Sequence, residues 1–380
     1  MKREKIGNIL QMQRGYDLPS SQMNEGEIPV VGSNGIVGYH DVSRCITPTI
    51  TIGRSGSAGK VHIYDTPTWV HNTALYLTDF KGNNPQYLYY LLQLLHLEKL
   101  CGSSVIPSLN RNVVYPMTVN FHEDRDEQDR IAGLLSMIDS KIALNREINR
   151  NLEAIARQIY DYWFVQFDFP DENGRPYKSS GGKMVWNEKL KREIPEGWED
   201  TTLGIFCEMY QPKTIGTNEL NPDGKYWVYG ANGIVGKYDS YNHEQSEVAM
   251  ACRGNSCGVI NRTLPKSWIT GNAMVIKTQP EIHNEFIYQT IPYLNIQGAI
   301  SGSGQPQLTR ENLSSILMCQ PSTSVLKAFS DLVSRYIELL IKNEILIQKL
   351  INQRDEILPL LMNGQVSVMP SEVNCDLSHD

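Results

Sequence analysis

The chain has 380 residues, 41% of them hydrophobic and 20% charged, so it can fill packed cores and is not disordered as a whole. At roughly 100–200 residues per domain, this length predicts two or three domains. The formal net charge of −7 argues against a protein that coats nucleic acid through overall basic charge. No apolar run reaches the ~18 residues that cross a bilayer, and the odd number of cysteines, 7, fits free thiols in a reducing compartment. We therefore expect a cytoplasmic protein with no membrane-spanning segment.

The charge is unevenly distributed along the chain. Residues 1–121 carry 10 Lys and Arg against 8 Asp and Glu, and residues 201–321 carry 8 against 9. Residues 122–200 carry 12 against 17, and residues 322–380 carry 5 against 8. Two near-neutral segments therefore alternate with two acidic ones.

The first half of the chain is repeated in the second half. Four short matches follow in the same order, all at an offset of 198 or 199 residues. The matched segments are Gly32–Gly38 with Gly230–Gly236, Arg54–Gly59 with Arg253–Gly258, Trp69–Ala74 with Trp268–Ala273, and Pro107–Arg111 with Pro306–Arg310. Solenoid repeats have periods of ~20–50 residues, so a period this long predicts two tandem domains.

Each half begins with a predicted mixed α/β module of short strands and turns. The Asn-Gly pairs at Asn34 and Asn232 suit the positive φ of a tight turn. Short helices are predicted over residues 85–95 and 285–294, where apolar and aromatic residues are dense.

A long helix is predicted to close each half, because apolar residues recur at alternating steps of four and three over more than four heptads. Asn145 and Asn343 take the same heptad position, where a polar residue lowers stability but fixes the register of a pair. The alternative is a position that only tolerates solvent; the matched placement favours pairing of the two helices. The residues expected to pair them are Ile138, Ile142, Asn145 and Leu152 in the first helix and Tyr336, Leu340, Asn343 and Leu350 in the second.

A connector rich in Gly, Pro, Ser and charge separates the halves. Its apolar residues Trp186, Ile194 and Trp198 indicate that the connector lies against another part of the protein. The predicted boundaries are 1–122 for the first module, 123–166 for the first long helix, 167–200 for the connector, 201–322 for the second module, 323–364 for the second long helix and 365–380 for a tail.

Motifs of catalysis are missing from the sequence. Gly53–Val61 resembles a phosphate-binding loop, but five residues separate its glycines instead of four, and Val61 replaces the Ser or Thr that would bind Mg²⁺. No HExxH zinc motif occurs. The spacing of Cys252 and Cys257 is poor for zinc ligands, so no metal site is expected. We expect that the chain alone catalyses nothing.

Polar residues in glycine-containing turns are the candidates for DNA binding. Glycine lets a backbone approach another molecule closely, Arg reads guanine through two hydrogen bonds, and Asn or Gln reads adenine. The candidates are Asn34, Arg54, Ser55, Ser57, Lys60, Ser108, Asn110 and Arg111 in the first half, and Asn232, Lys237, Arg253, Asn255, Ser256, Gln305, Gln307, Thr309 and Arg310 in the second.

Each candidate also has a structural explanation. Asn before Gly is a turn residue first, an isolated Arg often forms a surface ion pair, and recurrence fits a shared fold constraint. The matched pairs Arg54 with Arg253 and Arg111 with Arg310 are the residues most expected to touch phosphate or base, and we treat Arg54 and Arg253 as equivalent.

Three long stretches resemble the specificity (S) subunit of type I restriction–modification enzymes. Ile155–Glu199, which reads IARQIYDYWFVQFDFPDENGRPYKSSGGKMVWNEKLKREIPEGWE, closely resembles the central region of that family. Leu358–Val368, LPLLMNGQVSV, resembles the end of its C-terminal helix. Gly15–Asp41 is similar to one of its target-recognition domains, so the resemblance covers essentially the whole chain.

The resemblance implies an α+β fold with two tandem α/β target-recognition domains, each followed by a long helix, the two helices pairing as an antiparallel coiled coil. Each domain is then expected to read one half of a bipartite site in double-stranded DNA, and the helices to set the spacer. Two modification methyltransferase subunits are implied as partners that carry S-adenosylmethionine. Restriction subunits are implied to add ATP-driven translocation and cleavage, with Mg²⁺, so the chain itself holds no cofactor.

Two other functions compete with this one. A self-contained nuclease or methyltransferase would bind its cofactor as an isolated chain. An orphan protein whose duplicated modules bind protein or sugar would lack salt-dependent, sequence-specific DNA binding with a methyltransferase partner.

Overall fold

The chain forms two compact units in a computed structural model that describes residues 1–101, 108–279, 283–302 and 304–368. Unit 1 comprises Met1–Leu144 and the chain from Ile347 onward, and unit 2 comprises Asn145–Leu346. Pro107 of the repeated motif and the tail beyond Val368 lie outside the described residues. Of the helices described, not one combines the length and the apolarity that crossing a bilayer requires.

Unit 1 begins with a module of short strands and helices, which we call module 1. Its strands are β1 Lys2–Lys5, β2 Gln11–Arg14, β3 Ile28–Gly32, β4 Gly35–His40, β5 Thr49–Gly53, β6 Val61–Tyr64, β7 Trp69–Val70, β8 Ala74–Asp79 and β9 Thr118–Phe121. Its helices are α1 Ile6–Ile9, α2 Pro85–Leu94 and α3 Arg111–Val114. The first long helix, α4, follows over Arg125–Tyr160.

Unit 2 contains the connector and the second module, which we call module 2. The strands are β10 Met184–Asn187, β11 Arg192–Pro195, β12 Glu199–Thr202, β13 Cys207–Tyr210, β14 Tyr226–Gly230, β15 Gly233–Tyr238, β16 Val248–Ala251, β17 Ile260–Arg262, β18 Trp268–Ile269, β19 Ala273–Thr278 and β20 Leu317–Gln320. The helices are α5 Leu203–Phe206, α6 Asn284–Thr290, α7 Arg310–Ser314 and the second long helix, α8 Thr323–Met362. Helix α6 is shorter than predicted, because a 3₁₀ turn containing Pro292 follows it at Ile291–Tyr293.

The two modules have the same strand order. Module 1 has sheets ordered β1-β9, β2-β8-β5-β6 and β4-β3-β7, and module 2 has β12-β20, β13-β19-β16-β17 and β15-β14-β18. In both modules the pairing is antiparallel except for the short parallel pairs β3 with β7 and β14 with β18. The predicted repeat is therefore a repeat of topology, and the α+β fold class is confirmed.

Each unit has its own hydrophobic core. In unit 1, sheet residues such as Ile50 and Leu77 pack with Ile131 and Leu135 of α4 and Leu361 of α8. In unit 2, sheet residues such as Met250 and Ile276 pack with aromatic rings of α4, α6 and α8. Its ring cluster includes Tyr160, Phe164, Phe286 and Phe329, with the Phe164 and Phe286 centroids 4.9 Å apart. Both cores therefore join a module to pieces of both long helices.

The ends of the long helices carry ordinary stop and start signals. Asp124 caps α4, since its Oδ1 accepts a hydrogen bond of 3.0 Å from the backbone N–H of Asp126. Asp126 and Glu127 in the first turn complement the helix dipole. Helix α8 ends shortly before Gly364, which has a φ of +64° and so takes the left-handed conformation common after helices.

The predicted seam of each helix faces the protein interior or a neighbour. All eight residues expected to pair the helices are buried or half-buried. In unit 1 the two helical pieces touch directly, because Arg354 Nη1 of α8 donates a hydrogen bond of 2.8 Å to Asp139 Oδ1 of α4. In unit 2, the ring of Phe329 in α8 lies 5.9 Å from that of Trp163, just beyond α4. Pairing along the full length as an antiparallel coiled coil stays a prediction.

The connector packs within unit 2, with one exception to the prediction. Ile194 and Trp198 are buried, and the Trp198 ring stacks on Phe169 with centroids 5.1 Å apart. Trp186 is 57% exposed and takes no part in this packing, unlike the other two apolar residues on which the prediction rested. Trp186 belongs to β10, one strand of the isolated hairpin β10-β11, and alternation along a strand turns successive side chains to opposite faces.

Candidate nucleic-acid interface

The first predicted motif forms the tip of a β-hairpin in each module. Strands β3 and β4 are joined by the two residues Ser33 and Asn34, and Gly35 follows with a φ of +111°. Strands β14 and β15 are joined in the same way, and Gly233 has a φ of +98°. An L side chain is strained at such φ values, which explains the glycine after each Asn. Asn34 and Asn232 are exposed at the two tips.

The second motif of module 1 is a tight loop that leaves β5 and returns to β6. Gly53 N–H donates to Lys60 O at 2.7 Å, and Gly59 N–H donates to Gly53 O at 2.8 Å. A Cβ atom added to Gly53 would lie 2.7 Å from the carbonyl oxygen of Ser33, so this loop lies directly against the hairpin tip. Lys60 Nζ donates a hydrogen bond of 2.7 Å to Asn34 Oδ1 and joins the two motifs through their side chains.

The third motif of module 1 joins the same place. Ser55 and Ser108 form an antiparallel bridge, and Leu109 N–H donates to Arg54 O at 2.8 Å. Asn110 caps α3 by accepting a hydrogen bond of 3.0 Å from Asn112 N–H. Three motifs that are distant in sequence therefore meet at one end of module 1.

Module 2 assembles its second and third motifs in the same manner. Arg253 and Gln307 form an antiparallel bridge, and Gly254 N–H donates to Pro306 O at 2.9 Å. Thr309 caps α7 by accepting a hydrogen bond of 3.2 Å from Asn312 N–H. The hairpin carries Lys237, whose Nζ lies 4.8 Å above the ring of Trp227.

The remaining candidates lie on or beside these motifs. Ser57 and Ser256 are half-buried in the loops, and Asn255, Gln305 and Arg310 are exposed. Arg111 is also exposed, but its Nη1 donates a hydrogen bond of 3.1 Å to Met12 O, which gives this side chain a structural contact as well.

The equivalence of Arg54 and Arg253 is wrong by one residue. Leu109 N–H donates to the carbonyl of Arg54, whereas the matching Leu308 N–H donates to the carbonyl of Cys252 at 2.9 Å. Gly56 and Gly254, with φ of +79° and +76°, keep the same correspondence. Arg253 therefore takes the position of Ser55, because the loop of module 2 has one extra residue before Gly258.

This shift changes the exposure of both arginines. Arg54 is half-buried, and its counterpart Cys252 is fully buried. Arg253 is exposed and its counterpart Ser55 is half-buried. Successive residues of an extended segment point to opposite sides, so the two arginines offer their guanidinium groups from different positions of the shared backbone.

The candidate interface of module 1 takes its positive charge at neutral pH from Arg and Lys. Burial lowers the pKa of the neighbouring His62, and the Lys60 ammonium lowers it further, so this imidazole is neutral at pH 7. The Nε2 atom of His62 is buried with no hydrogen-bond partner among the described residues. Within the same described ranges, no three His, Cys, Asp or Glu side chains come together as metal ligands.

Sequence reasoning missed the contacts that fasten each module to the long helices. Arg262 of β17 makes a bidentate ion pair with Glu285 of α6, at 2.8 and 2.9 Å, and reaches Glu153 of α4 at 3.3 Å. In unit 1, Tyr90 of α2 donates a hydrogen bond of 2.7 Å to Asp139 of α4. The partners are too far apart in sequence for any local spacing signal.

Comparisons with known proteins agree on one family. A profile of the type I restriction modification DNA specificity domain matches residues 1–154 and 195–350. The MjaIX specificity subunit of Methanocaldococcus jannaschii is 24% identical, over 93% of this chain and 91% of the relative. The HindI specificity subunit of Haemophilus influenzae is 22% identical, over 70% of this chain and 72% of the relative.

The fold also matches a solved structure. The crystal structure of a type I restriction–modification S subunit from M. genitalium superposes with a TM-score of 0.61 at 18% identity, covering 95% of this chain and 96% of that one. Two modules of the same strand order and a family profile that matches most of the chain lead to one conclusion. This chain belongs to the type I restriction–modification DNA specificity family.

Proposed function

We propose that the chain is the non-catalytic DNA specificity subunit of a type I restriction–modification complex, in which each module reads one half of a bipartite site in double-stranded DNA. The observation that carries this proposal is the convergence of three polar motifs at one end of module 1, together with the same joining of the second and third motifs in module 2. The two convergence sites share a backbone plan but present different side chains, as two readers of different half-sites require. The orphan protein-binding or sugar-binding alternative has no such support.

The partners follow from the same proposal. Two modification methyltransferase subunits dock on the long helices and supply S-adenosylmethionine, and restriction subunits supply ATP-driven translocation and cleavage with Mg²⁺. The chain holds none of these cofactors and works in the cytoplasm. Residues 122–200 and 322–380, which contain the helices, are net acidic, so basic partner surfaces fit them.

The test compares the isolated chain with its complex. Because the chain is acidic overall, we expect it to bind DNA weakly alone and specifically only with a methyltransferase partner in a two-to-one complex. Native mass spectrometry gives the stoichiometry, and band-shift assays at several salt concentrations give the affinity. Tight, specific binding by the single chain, or no specific binding by the complex, contradicts the proposal.

The long helices are proposed to set the spacer between half-sites. Helix α4 has 36 residues, which at a rise of ~1.5 Å per residue spans about 54 Å. Inserting one heptad after Asn145 and another after Asn343 keeps the seam in phase and adds about 10 Å. At ~3.4 Å per base pair, we expect the preferred spacer to grow by one to three base pairs with both half-sites unchanged.

Methylome sequencing of the modified strain reads the spacer directly. An unchanged spacer with normal activity would show that the helices only dock partners. Altered half-site bases would show that the modules do not read DNA independently.

A further inference from the structure

Each hairpin tip carries two consecutive exposed apolar residues immediately after its glycine. Ile36 and Val37 are 51% and 57% exposed, and Ile234 and Val235 are 39% and 51% exposed. Isolated apolar residues on a surface are ordinary. This pair, however, recurs at the same register in both modules and fills neither hydrophobic core.

A β-bulge places the two side chains next to each other. Val31 pairs with Ile36 and Val30 pairs with Gly38, so Val37 is the extra residue of β4. In module 2, the same shift between Val228 and Tyr229 leaves Val235 as the extra residue. Bulges re-aim side chains at the edges of sheets, and here the bulge follows the tip by one residue in both modules.

A glycine beneath each valine holds the pair in place. A Cβ atom added to Gly32 would lie 3.0 Å from Cγ1 of Val37, and one added to Gly230 would lie 2.7 Å from Cγ1 of Val235. In both hairpins the valine side chain therefore packs against the backbone of this glycine, where no side chain intervenes.

The surroundings of the pair in module 1 are hydrogen-bonding and cationic. Lys60 is bonded to Asn34 at the tip, and the loop that carries Arg54 lies against Ser33. Residues 1–121 are also a net-positive segment in an otherwise acidic chain. A polyanion that presents apolar groups between its charges suits this combination, whereas a protein pocket for Ile and Val would bury the Lys60 ammonium without a counter-charge.

We infer that the Ile36–Val37 and Ile234–Val235 pairs are a contact to base pairs that both modules share, with the C5-methyl group of thymine as the group they touch. The inference rests on the proposed function and deepens it. The major groove admits a two-stranded β-ribbon, and the thymine methyl is the apolar group that it displays. The neighbouring Lys and Arg then reach phosphate or base edges on either side.

The experiment uses the chain assembled with its methyltransferase partner and duplexes that carry the mapped site. Thymines are replaced one at a time by uracil, which removes only the methyl group. At one or two positions in each half-site, uracil should weaken binding by the wild-type complex about fourfold, the equivalent of one buried methylene. Ile36→Ala should weaken binding about 5- to 20-fold and remove the uracil effect in one half-site only, and Ile234→Ala should do the same in the other.

Controls separate this contact from folding and from the function itself. Ile205→Ala removes an isoleucine that is 80% exposed on α5 of unit 2 and should change nothing. Ile36→Val keeps a β-branched side chain and should retain most of the uracil effect. Two results overturn the inference: an unchanged DNA affinity in Ile36→Ala and Ile234→Ala, or a loss of assembly with the methyltransferase instead of a loss of DNA affinity. The proposed function survives either result if Arg253→Ala still weakens specific binding. Failure of the wild-type complex to bind any specific site overturns the proposed function instead.

Discussion

Modules 1 and 2 agree in their buried positions and differ in the residues that face outward or toward the helices. Ile50 and Val248 occupy the same place in the central sheet, and their paired neighbours are Ile63 and Arg262. Ile63 therefore adds an apolar side chain beside Ile50, whereas Arg262 at the same position forms an ion pair with Glu285. The change leaves the strand order unaltered, because the backbone pairing of these two strands is the same in both modules.

The ion pairs that belong to the two sets of contacts at the long helices differ in their degree of burial. The side chains of Arg262 and Glu285 are 8% and 10% exposed, and the Arg262 guanidinium lies 4.1 Å above the ring of Tyr288. Asp139 and Arg354 of unit 1 are 29% and 25% exposed. A buried charge without its partner is costly, so unit 2 depends on a matched pair where unit 1 depends on solvated polar contacts.

The largest expected effect is the loss of one partner of the buried ion pair. Glu285→Gln removes the buried partner of the Arg262 guanidinium and leaves only the half-exposed Glu153 beside it, and we expect unit 2 to lose about 3 kcal/mol of unfolding free energy. Urea unfolding followed by tryptophan fluorescence measures this loss, because five of the 6 tryptophans, all but Trp69, lie in unit 2.

The matched control transfers the residues of module 1 into module 2. At the offset of 199 residues, Gln86 and Ile63 are the counterparts of Glu285 and Arg262. The double variant Arg262→Ile/Glu285→Gln therefore carries the residues that module 1 has at these positions. We expect it to recover most of the loss, to within about 1.5 kcal/mol of the wild type. A double variant as unstable as the single one would show that the modules are not interchangeable at this position.

A smaller loss is expected from the fastening of unit 1. Asp139→Asn weakens the acceptor of Tyr90 and removes the ion pair with Arg354, and hydrogen bonds to charged groups contribute about 1.5–3 kcal/mol. Hydrogen exchange of the α2 amides reports the local opening of this helix. Exchange that accelerates equally throughout unit 2 would contradict the assignment of this contact to unit 1.

The one-residue shift between the loops predicts which arginine determines sequence choice. Arg253→Ala should relax one half-site by about 1–3 kcal/mol if the side chain reads a base, and should weaken all sequences alike if it touches phosphate. Ser55→Arg places an arginine at the equivalent position of module 1 and should change the other half-site, whereas Arg54→Ala should alter stability together with binding. Methylation mapping on a randomised site library distinguishes these outcomes, and identical profiles for Arg54→Ala and Arg253→Ala would contradict the shift.

The smallest effect concerns the two helix caps, which are also candidate DNA contacts. Asn110→Ala and Thr309→Ala should each cost about 1 kcal/mol of stability, since each side chain caps a short helix. Asn110→Asp and Thr309→Ser keep the cap. If Asn110→Asp and Thr309→Ser retain stability but lose DNA affinity, these residues belong to the DNA interface. If DNA affinity falls only where stability falls, they belong to the fold.

Periodicity and repetition predicted the long helices and the duplicated modules because both are properties of many residues at once. All eight predicted seam residues are buried or half-buried. A helix predicted from this many positions does not depend on the placement of any single residue. The register of Arg253 depended on one extra residue in a glycine-rich loop, where more letters match at an offset of 199 than at the offset of 198 that the backbone takes at Gly254. The hydrogen bonds of Leu109 and Leu308 distinguish them, and these bonds join segments more than 50 residues apart.

The last part of α8 completes the core of unit 1, so unit 1 can finish folding only after the rest of the chain has been synthesised. Leu358, Leu361 and Met362 of α8 fill the core beside Ile131, and His122 Nε2 lies 3.0 Å from Leu361 O. These residues emerge from the ribosome after all of unit 2, although module 1 emerges first. A nascent or prematurely terminated chain that stops before Ile347 therefore leaves apolar surface of α4 and module 1 uncovered, where proteases recognise incomplete products.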